Sequence, residues 1–289
     1  MIRISSPRLR YGLLLFLCAT ITPSIAWSDD PVLPELTPVP TVLPLAGAEA
    51  SSRERSFGTQ LVYDTKYILT APLRWDSRDW LWFGAAAAAV VGTGILADRR
   101  ESDPIEDAQH RIDKLATKLE PFGGGYSFAA LAGFYGAGKL FDSPNAIAVG
   151  EDGLTASIIA AGIISPAIKW VIGRVRPGDT PSSTDFHPFG SNHSFPSGHT
   201  TQAFTVASVI SAHYDSLWID TTAYTTAALV GYARHQHQAH WPSDIAAGAL
   251  IGIAVGHTVV KLNDDNRGAH VAIVPSDSGP MVALVIPLP

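Results

Sequence analysis

Cysteine is nearly absent from this chain: Cys18 is the only one among 289 residues. A single thiol excludes a disulfide within the chain and a zinc centre built from cysteines. Basic residues are also in the minority, with 20 Lys plus Arg against 26 Asp plus Glu and a formal net charge of −6. Because nucleic-acid-binding proteins present an extended basic surface, this acidic balance argues against a nucleic-acid partner.

The first 26 residues have the pattern of a secretory signal peptide. Three arginines within the first ten residues precede an apolar stretch from Tyr11 to Ile21. Small residues then lead to Ala26, after which cleavage is expected. The sequence therefore predicts a cleaved signal over residues 1–26 and export of the rest to the periplasm.

Residues 27–56 are too rich in proline for a helix and predict an extended tether. Hydrophobic periodicity then predicts a helical domain over residues 57–266, with a catalytic core over residues 154–262. Two β-prone runs around a Pro-Ser-Asp-Ser-Gly-Pro turn predict a C-terminal β-hairpin within residues 267–289. Helices are expected near residues 57–71, 80–97, 105–119, 126–141, 154–171, 201–214, 217–232 and 242–262.

The sequence leaves two interpretations of whether this core crosses a membrane. All but one of the expected helices have 18 residues or fewer, short of the ~20 that a membrane span needs. Three crossings by segments 80–97, 126–141 and 154–171 of an exported chain would also place Lys169 in the cytoplasm. We therefore expect a soluble or peripherally attached periplasmic core. The apolar segment Trp80 to Ala97 favours the alternative, an integral inner-membrane protein.

Three short pieces between residues 169 and 244 carry the chemistry. The first runs from Lys169 to Arg176-Pro177, with six residues between the lysine and the arginine. The second is Pro196-Ser197-Gly198-His199. In the third, Arg234 is followed after five residues by His240 and after three more by Asp244.

These pieces contain the components of a phosphate site. Lys169, Arg176 and Arg234 supply cations, and the planar guanidinium groups match phosphate oxygens. Ser197 and Gly198 stand where a helix is expected to begin, and the backbone N–H groups of a helix N-terminus attract anions. The sequence therefore predicts that these five residues bind phosphate.

Two histidines and a carboxylate complete the candidate site. His240 and Asp244 are four residues apart, so on a helix they would share a face, and the carboxylate would fix the imidazole tautomer. His240 would then attack phosphorus, while His199 remains for proton transfer. We expect no metal and no cofactor in this chemistry. A metal cluster of His235, His237 and His240 is the alternative interpretation of the histidine-rich stretch.

In order and spacing, the three pieces resemble the signature of the type 2 phosphatidic acid phosphatase and vanadium haloperoxidase superfamily. One position departs from it, because Ala233 stands where the family usually has serine. The resemblance implies an all-α fold, a compact six-helix bundle with the site at one end. It also implies metal-independent hydrolysis of a phosphate or pyrophosphate ester, with His240 as nucleophile, Asp244 orienting it and His199 as acid.

Other functions remain open on the sequence. The same residues can bind vanadate, so a vanadate-dependent haloperoxidase is one alternative, and a phosphate- or phospholipid-binding protein without turnover is another. The partner is expected to be a phosphorylated lipid or a small phosphate ester, with a membrane surface as a further partner. The sequence does not identify the substrate.

Overall fold

The computed structural model describes residues 56–98, 108–268, 270–276 and 279–285. The predicted signal peptide and nearly all of the predicted tether lie outside the described residues. Within the described residues the chain is mostly helical.

The described residues form eight helices, so the expected number of six is wrong. Each of the eight segments that hydrophobic periodicity predicts to be helical contains a helix. The expected number of six came from the family resemblance. The helices are α1 Phe57–Leu69, α2 Ser77–Ala97, α3 Ala108–Leu119, α4 Gly125–Leu140, α5 Pro144–Ile172, α6 Gly198–His213, α7 Leu217–Gln236 and α8 Pro242–Gly268. After α8, strands β1 His270–Ser276 and β2 Gly279–Val285 pair in antiparallel register.

Helix α5 delivers the first motif, and it is longer than the expected segment 154–171. It begins at Pro144, where proline suits the first helical turn because its missing N–H would have no partner there. Its middle, Ile158–Ile164, is a π-helical stretch that lies just before Pro166. The helix ends at Gly173, whose φ of 59° is left-handed. A Cβ there would lie 1.8 Å from the carbonyl oxygen of His187, so this turn requires glycine.

Helix α6 is the most buried element, and α8 packs closely along it. The close approach depends on glycines one turn apart on α8. A Cβ added at Gly248 would lie 2.7 Å from the carbonyl oxygen of Ser197, and one at Gly252 would lie 2.6 Å from that of Thr201. Since these distances are shorter than van der Waals contact, glycine at both positions brings α8 against the start of α6, where the second motif lies.

The described residues include three helices that are long and apolar enough to cross a membrane. They are Ser77–Ala97 with 21 residues, Pro144–Ile172 with 29, and Pro242–Asp264 of α8 with 23. The expected segments 80–97 and 154–171, with 18 residues each, are therefore too short for the first two of these helices. None of the apolar window of α2 is buried, and Leu81, Trp82 and Leu96 on it are 69%, 62% and 74% exposed. Such an exposed apolar helix indicates association with a membrane.

Candidate active site

Lys169 lies near the end of α5 and points at the loop that carries the second motif. Its Nζ donates to the carbonyl oxygens of His193 at 2.7 Å and Pro196 at 2.5 Å. An ammonium group has three protons, so one remains for an anion. A Cβ on Gly198 would lie 3.7 Å from Cε of Lys169, which places the lysine beside the N-terminus of α6.

The Pro196-Ser197-Gly198-His199 piece forms the start of α6, as its sequence predicts. Ser197 is the N-cap: its buried Oγ accepts from the Thr200 N–H at 3.4 Å and from the Thr200 hydroxyl at 2.9 Å. The Ser197 N–H donates to the carbonyl oxygen of Asp244 at 2.9 Å, which ties this turn to the third motif. Ser197 therefore holds the start of α6 in place, at the positive end of the helix dipole.

His240 is buried, with its ring oriented by a backbone carbonyl. Its Nδ1 lies 2.8 Å from the carbonyl oxygen of Ser194 and 3.8 Å from Oδ2 of Asp244. A carbonyl oxygen only accepts, so the hydrogen bond requires the proton on Nδ1. The other nitrogen, Nε2, is then unprotonated and has a free lone pair. The expected orienting role of Asp244 thus takes a different form: the carboxylate holds the groups around the ring.

Asp244 accepts hydrogen bonds from three directions. Oδ2 accepts from the Ser194 hydroxyl at 2.5 Å and from the Trp241 N–H at 2.9 Å, and Oδ1 accepts from Nη1 of Arg174 at 2.7 Å. Arg174 also donates through Nη2 to Oδ2 of Asp98 at 2.7 Å. This buried network fixes Ser194, whose carbonyl orients His240. Asp244 therefore positions the histidine largely through the backbone.

The two arginines predicted to bind phosphate have different surroundings. Arg176 is exposed and has no ion-pair partner among the described residues. Arg234 is paired through Nη1 with Oε1 of Glu120, whose other oxygen lies 2.9 Å from Nδ1 of His237. Nε of Arg234 is buried without a hydrogen-bond partner in the described part of the chain. The guanidinium of Arg234 is thus held in place by Glu120, and its Nε–H remains able to donate to a ligand.

The environment lowers the pKa of both histidines. For His199 the main cause is burial, followed by the positive charge of Arg234, with Glu120 opposing. For His240 burial is again the main cause, the hydrogen-bonding influence of Asp244 opposes it, and Lys169 adds to the lowering. Both pKa values lie below the ordinary 6.5. The charges of Lys169 and Arg234 therefore act on both imidazoles.

The structure also shows functional neighbours that sequence reasoning missed. Arg174 lies inside the first motif, but nothing local indicates that it is buried between two carboxylates rather than directed at a ligand. Glu120 and Ser194 have no motif around them. The three histidines of the histidine-rich stretch do not share one environment, since His235 and His237 are exposed while His240 is buried. Within the described residues, no group of three or more His, Cys, Asp or Glu is arranged to hold a metal ion.

Comparison with known proteins gives the following relatives. The chain is 32% identical over 126 residues to the lipid A 1-phosphatase of Porphyromonas gingivalis, covering 42% of this chain and 26% of that protein. It is 30% identical over 114 residues to the lipid A 4'-phosphatase of the same organism, covering 38% of this chain and 48% of that protein. The putative undecaprenyl-diphosphatase YbjG of Escherichia coli is 29% identical over 104 residues, covering 35% of this chain and 52% of that protein. The aligned region thus spans about a quarter to a half of these relatives' lengths.

Two solved structures are similar in part. LpxE of Aquifex aeolicus has a TM-score of 0.42 and 27% identity over 58% of this chain and 92% of that chain. A transmembrane PAP2-type phosphatidylglycerolphosphate phosphatase of Bacillus subtilis has a TM-score of 0.40 and 21% identity over 72% of this chain and 96% of that chain. The family model of the PAP2 superfamily matches residues 153–267, which include all three motifs. The chain therefore contains a PAP2 superfamily domain at residues 153–267.

Proposed function

We propose that this chain is a metal-independent phosphatase that hydrolyses a phosphate or pyrophosphate ester of a lipid through a phosphohistidine at His240. The observation that carries the proposal is the hydrogen bond from Nδ1 of His240 to the Ser194 carbonyl. It leaves Nε2 as a nucleophile in a site where Lys169 and Arg234 supply positive charge. Binding of phosphate alone would need the cations but not this arranged imidazole.

Phosphate binding falls to the cations and to the start of α6. Lys169, Arg176 and Arg234 neutralise the phosphoryl oxygens, and the N–H groups that follow Ser197 add donors at the positive end of the helix dipole. Because phosphoryl transfer spreads charge over the equatorial oxygens, such a cationic site stabilises the transition state more than the ground state.

The chemical step begins with attack of His240 Nε2 on phosphorus. The bond from phosphorus to the ester oxygen breaks, and His199 gives a proton to the departing oxygen. Protonated His199 is favoured once the phosphate dianion is bound, since an anion raises the pKa of a neighbouring imidazole. Water then attacks the phosphohistidine, His199 takes up its proton, and inorganic phosphate and free His240 result.

A lipid is the substrate class that best matches the exterior of the molecule. Three helices are suited to a membrane, and α2 exposes a row of large apolar side chains. The relatives named above as lipid A phosphatases and an undecaprenyl-diphosphatase act, by those names, on phosphorylated lipids. A membrane-held site favours such substrates because enzyme and substrate then share one surface.

The helix lengths also bear on the side of the membrane that the site faces. Among the described residues, two candidate spans, α2 and α5, precede or contain Lys169, while α4 has only 16 residues. If Ser56 lies on the exported side, as the N-terminal signal pattern predicts, two crossings return the chain to that side. Lys169 near the end of α5 is then periplasmic. The conflict that favoured a soluble core disappears, and we propose an integral inner-membrane protein with a periplasmic site.

The test is release of inorganic phosphate from phosphatidic acid and undecaprenyl pyrophosphate in detergent micelles, with His240→Ala as the control variant. Oxidation of bromide with vanadate and peroxide is measured in parallel. We expect phosphate release that persists with a chelator and is lost in His240→Ala. Vanadate without peroxide should inhibit, because it mimics the trigonal-bipyramidal transition state. Bromide oxidation without phosphate release would support the haloperoxidase instead, and binding without either activity would support a non-catalytic protein.

A further inference from the structure

A cavity of about 370 Å³ adjoins the second motif. Its walls come from the turn before α4, from the π-helical part of α5 and from the start of α6. Gly124 and Gly198 are among the residues that line it, and a Cβ on Gly124 would be 3.7 Å from Nε2 of His199. Gly162 and Ile163, which also line it, are exposed. The cavity is therefore bordered both by a residue close to His199 and by exposed residues of α5, a helix that we propose to lie in the membrane.

Gln202 is a polar residue in this otherwise largely apolar wall. It lies three residues after His199 on α6 and is 2% exposed. Its Nε2 donates to the hydroxyl of Ser127 at 2.9 Å and to that of Ser157 at 2.9 Å. Its Oε1 is buried without a hydrogen-bond partner among the described residues.

The orientation of this amide follows from Ser127. The Ser127 hydroxyl donates its only proton to the carbonyl oxygen of Gly124 at 2.6 Å, so it can only accept from Gln202. The NH₂ group of Gln202 must therefore face Ser127, which leaves Oε1 as an acceptor. An unpaired buried acceptor is costly, and natural structures keep few of them.

We propose that Oε1 of Gln202 accepts a hydrogen bond from a hydroxyl or amide N–H on the alcohol part of the substrate, next to the scissile phosphate. The inference rests on the proposed phosphatase function and narrows its substrate class. One helical turn separates Gln202 from His199, so the donor group lies close to the leaving oxygen that His199 protonates. Head groups of this kind are sugars, N-acylated amino sugars and amino alcohols.

Such an acceptor discriminates between lipids that otherwise look alike. A lipid whose alcohol part has no donor near the phosphate leaves Oε1 unpaired when it fills the cavity, whereas a donor-bearing lipid satisfies it. Sites built to hydrogen-bond a substrate group reject analogues that lack the group. We therefore expect donor-bearing substrates to have kcat/KM values at least about fivefold higher.

The experiment uses the full-length protein in mixed micelles and three substrates of matched chain length. Phosphatidic acid has no donor next to the phosphate, lysophosphatidic acid has a hydroxyl, and ceramide 1-phosphate has an amide N–H and a hydroxyl. The kcat/KM of each is measured for the wild type and for Gln202→Met, which keeps the volume and removes the amide. Gln236→Met, at an exposed glutamine near the end of α7, is the matched control.

We expect the wild type and Gln236→Met to prefer one or both donor-bearing substrates. In Gln202→Met the ratio of kcat/KM for these substrates to kcat/KM for phosphatidic acid should fall towards one. Preference for lysophosphatidic acid alone would assign a hydroxyl, and preference for ceramide 1-phosphate alone an amide. Equal rates on all three by the wild type, or an unchanged ratio in Gln202→Met, would overturn the inference while leaving the phosphatase intact. If Gln202→Met does not fold, the wild-type kcat/KM values for donor-bearing and donor-free substrates still test the inference. No phosphate release from any phosphate ester, p-nitrophenyl phosphate included, would instead contradict the proposed function.

Discussion

Arg174 and Arg176 lie two residues apart in the first motif and have opposite surroundings. Arg174 is 4% exposed and pairs with Asp98 and Asp244 at 2.7 Å each. Arg176 is exposed, and no carboxylate within the described residues pairs with it. We therefore expect Arg174, which is held between two carboxylates, to stabilise the structure, and Arg176, whose charge is not paired with one of the described carboxylates, to bind the ligand.

The same substitution at both positions separates the two roles. Arg174→Met leaves two buried carboxylates without their cation, which typically costs about 3–5 kcal/mol. We expect its thermal unfolding temperature in detergent to fall by roughly 5–15 °C. Arg176→Met should unfold as the wild type does and lose about 10- to 100-fold in kcat/KM, the effect of one charge-assisted contact. Equal unfolding temperatures for the two variants would contradict this division.

The histidine pKa values predict the pH dependence. In the proposed mechanism His240 acts in its neutral form, which its lowered pKa favours. His199 acts there in its protonated form, and its protonated fraction in the free enzyme falls as pH rises through a pKa below 6.5. The kcat/KM for an alkyl phosphate should therefore decline with a midpoint below pH 6.5. His199→Ala should flatten this descending limb relative to the wild type; an identical limb in both would assign it to another group.

At this scale the sequence indicated residues that the structure brings together around the start of α6, but not the residues that support them. The spacings from Lys169 to Asp244 identify residues of one site because each motif is local. Asp98 is 76 positions from Arg174 along the chain and Glu120 is 114 from Arg234. Partnerships of this range are made by packing, and nothing in the sequence around Asp98 or Glu120 distinguishes them from surface carboxylates.

At the scale of elements, the contact between α6 and α8 depends on backbones that approach closely. Gly252 is the tightest point, since an added Cβ would lie 2.6 Å from the carbonyl oxygen of Thr201. Gly92 on α2 has nothing within 4 Å of such a Cβ. The two glycines therefore form a matched pair within two apolar helices.

Alanine at these two glycines should have effects of opposite sign. Alanine favours a helix by about 1 kcal/mol over glycine, so Gly92→Ala should leave the unfolding temperature unchanged or raise it. Gly252→Ala gains the same propensity but forces α8 away from α6, and overpacking costs about 1–3 kcal/mol. Thermal unfolding of both variants in one detergent is the measurement. A Gly252→Ala protein as stable as Gly92→Ala would show that the helices separate without cost.

Hydrophobic periodicity placed every helix but misjudged their lengths. The expected start of α5 at Leu154 is ten residues late, because Ala146 to Gly153 mix small, apolar and acidic residues without a clear apolar stripe. They are nonetheless mostly buried, since Gly150 and Gly153 let α4 approach and α6 packs on the same segment. The π-helical stretch has no sequence signature beyond Pro166, and the cavity beside it could not be predicted.

For the whole molecule, the exposed apolar surface of α2 is the feature with the largest consequence. We expect the protein to remain with membranes after washing with alkaline carbonate, because helices of 21, 29 and 23 residues are long and apolar enough to cross the hydrocarbon core. Fluorescence of Trp80 and Trp82, 50% and 62% exposed, should be quenched by brominated lipids in reconstituted vesicles. Recovery of the protein in the carbonate supernatant would instead support a soluble or peripherally attached core.

Covalent catalysis by His240 is the centre of the account, and rapid-quench labelling tests it most directly. A lipid phosphate carrying a radioactive phosphoryl group is mixed with excess His199→Ala, in which release from the phosphohistidine is slowed because water lacks its proton acceptor. We expect acid-labile, base-stable label on the protein, mapped to the peptide that contains His240, and none in the His199→Ala/His240→Ala double variant. Turnover by His199→Ala with no protein-bound label at any time, or label that persists without His240, would contradict the mechanism.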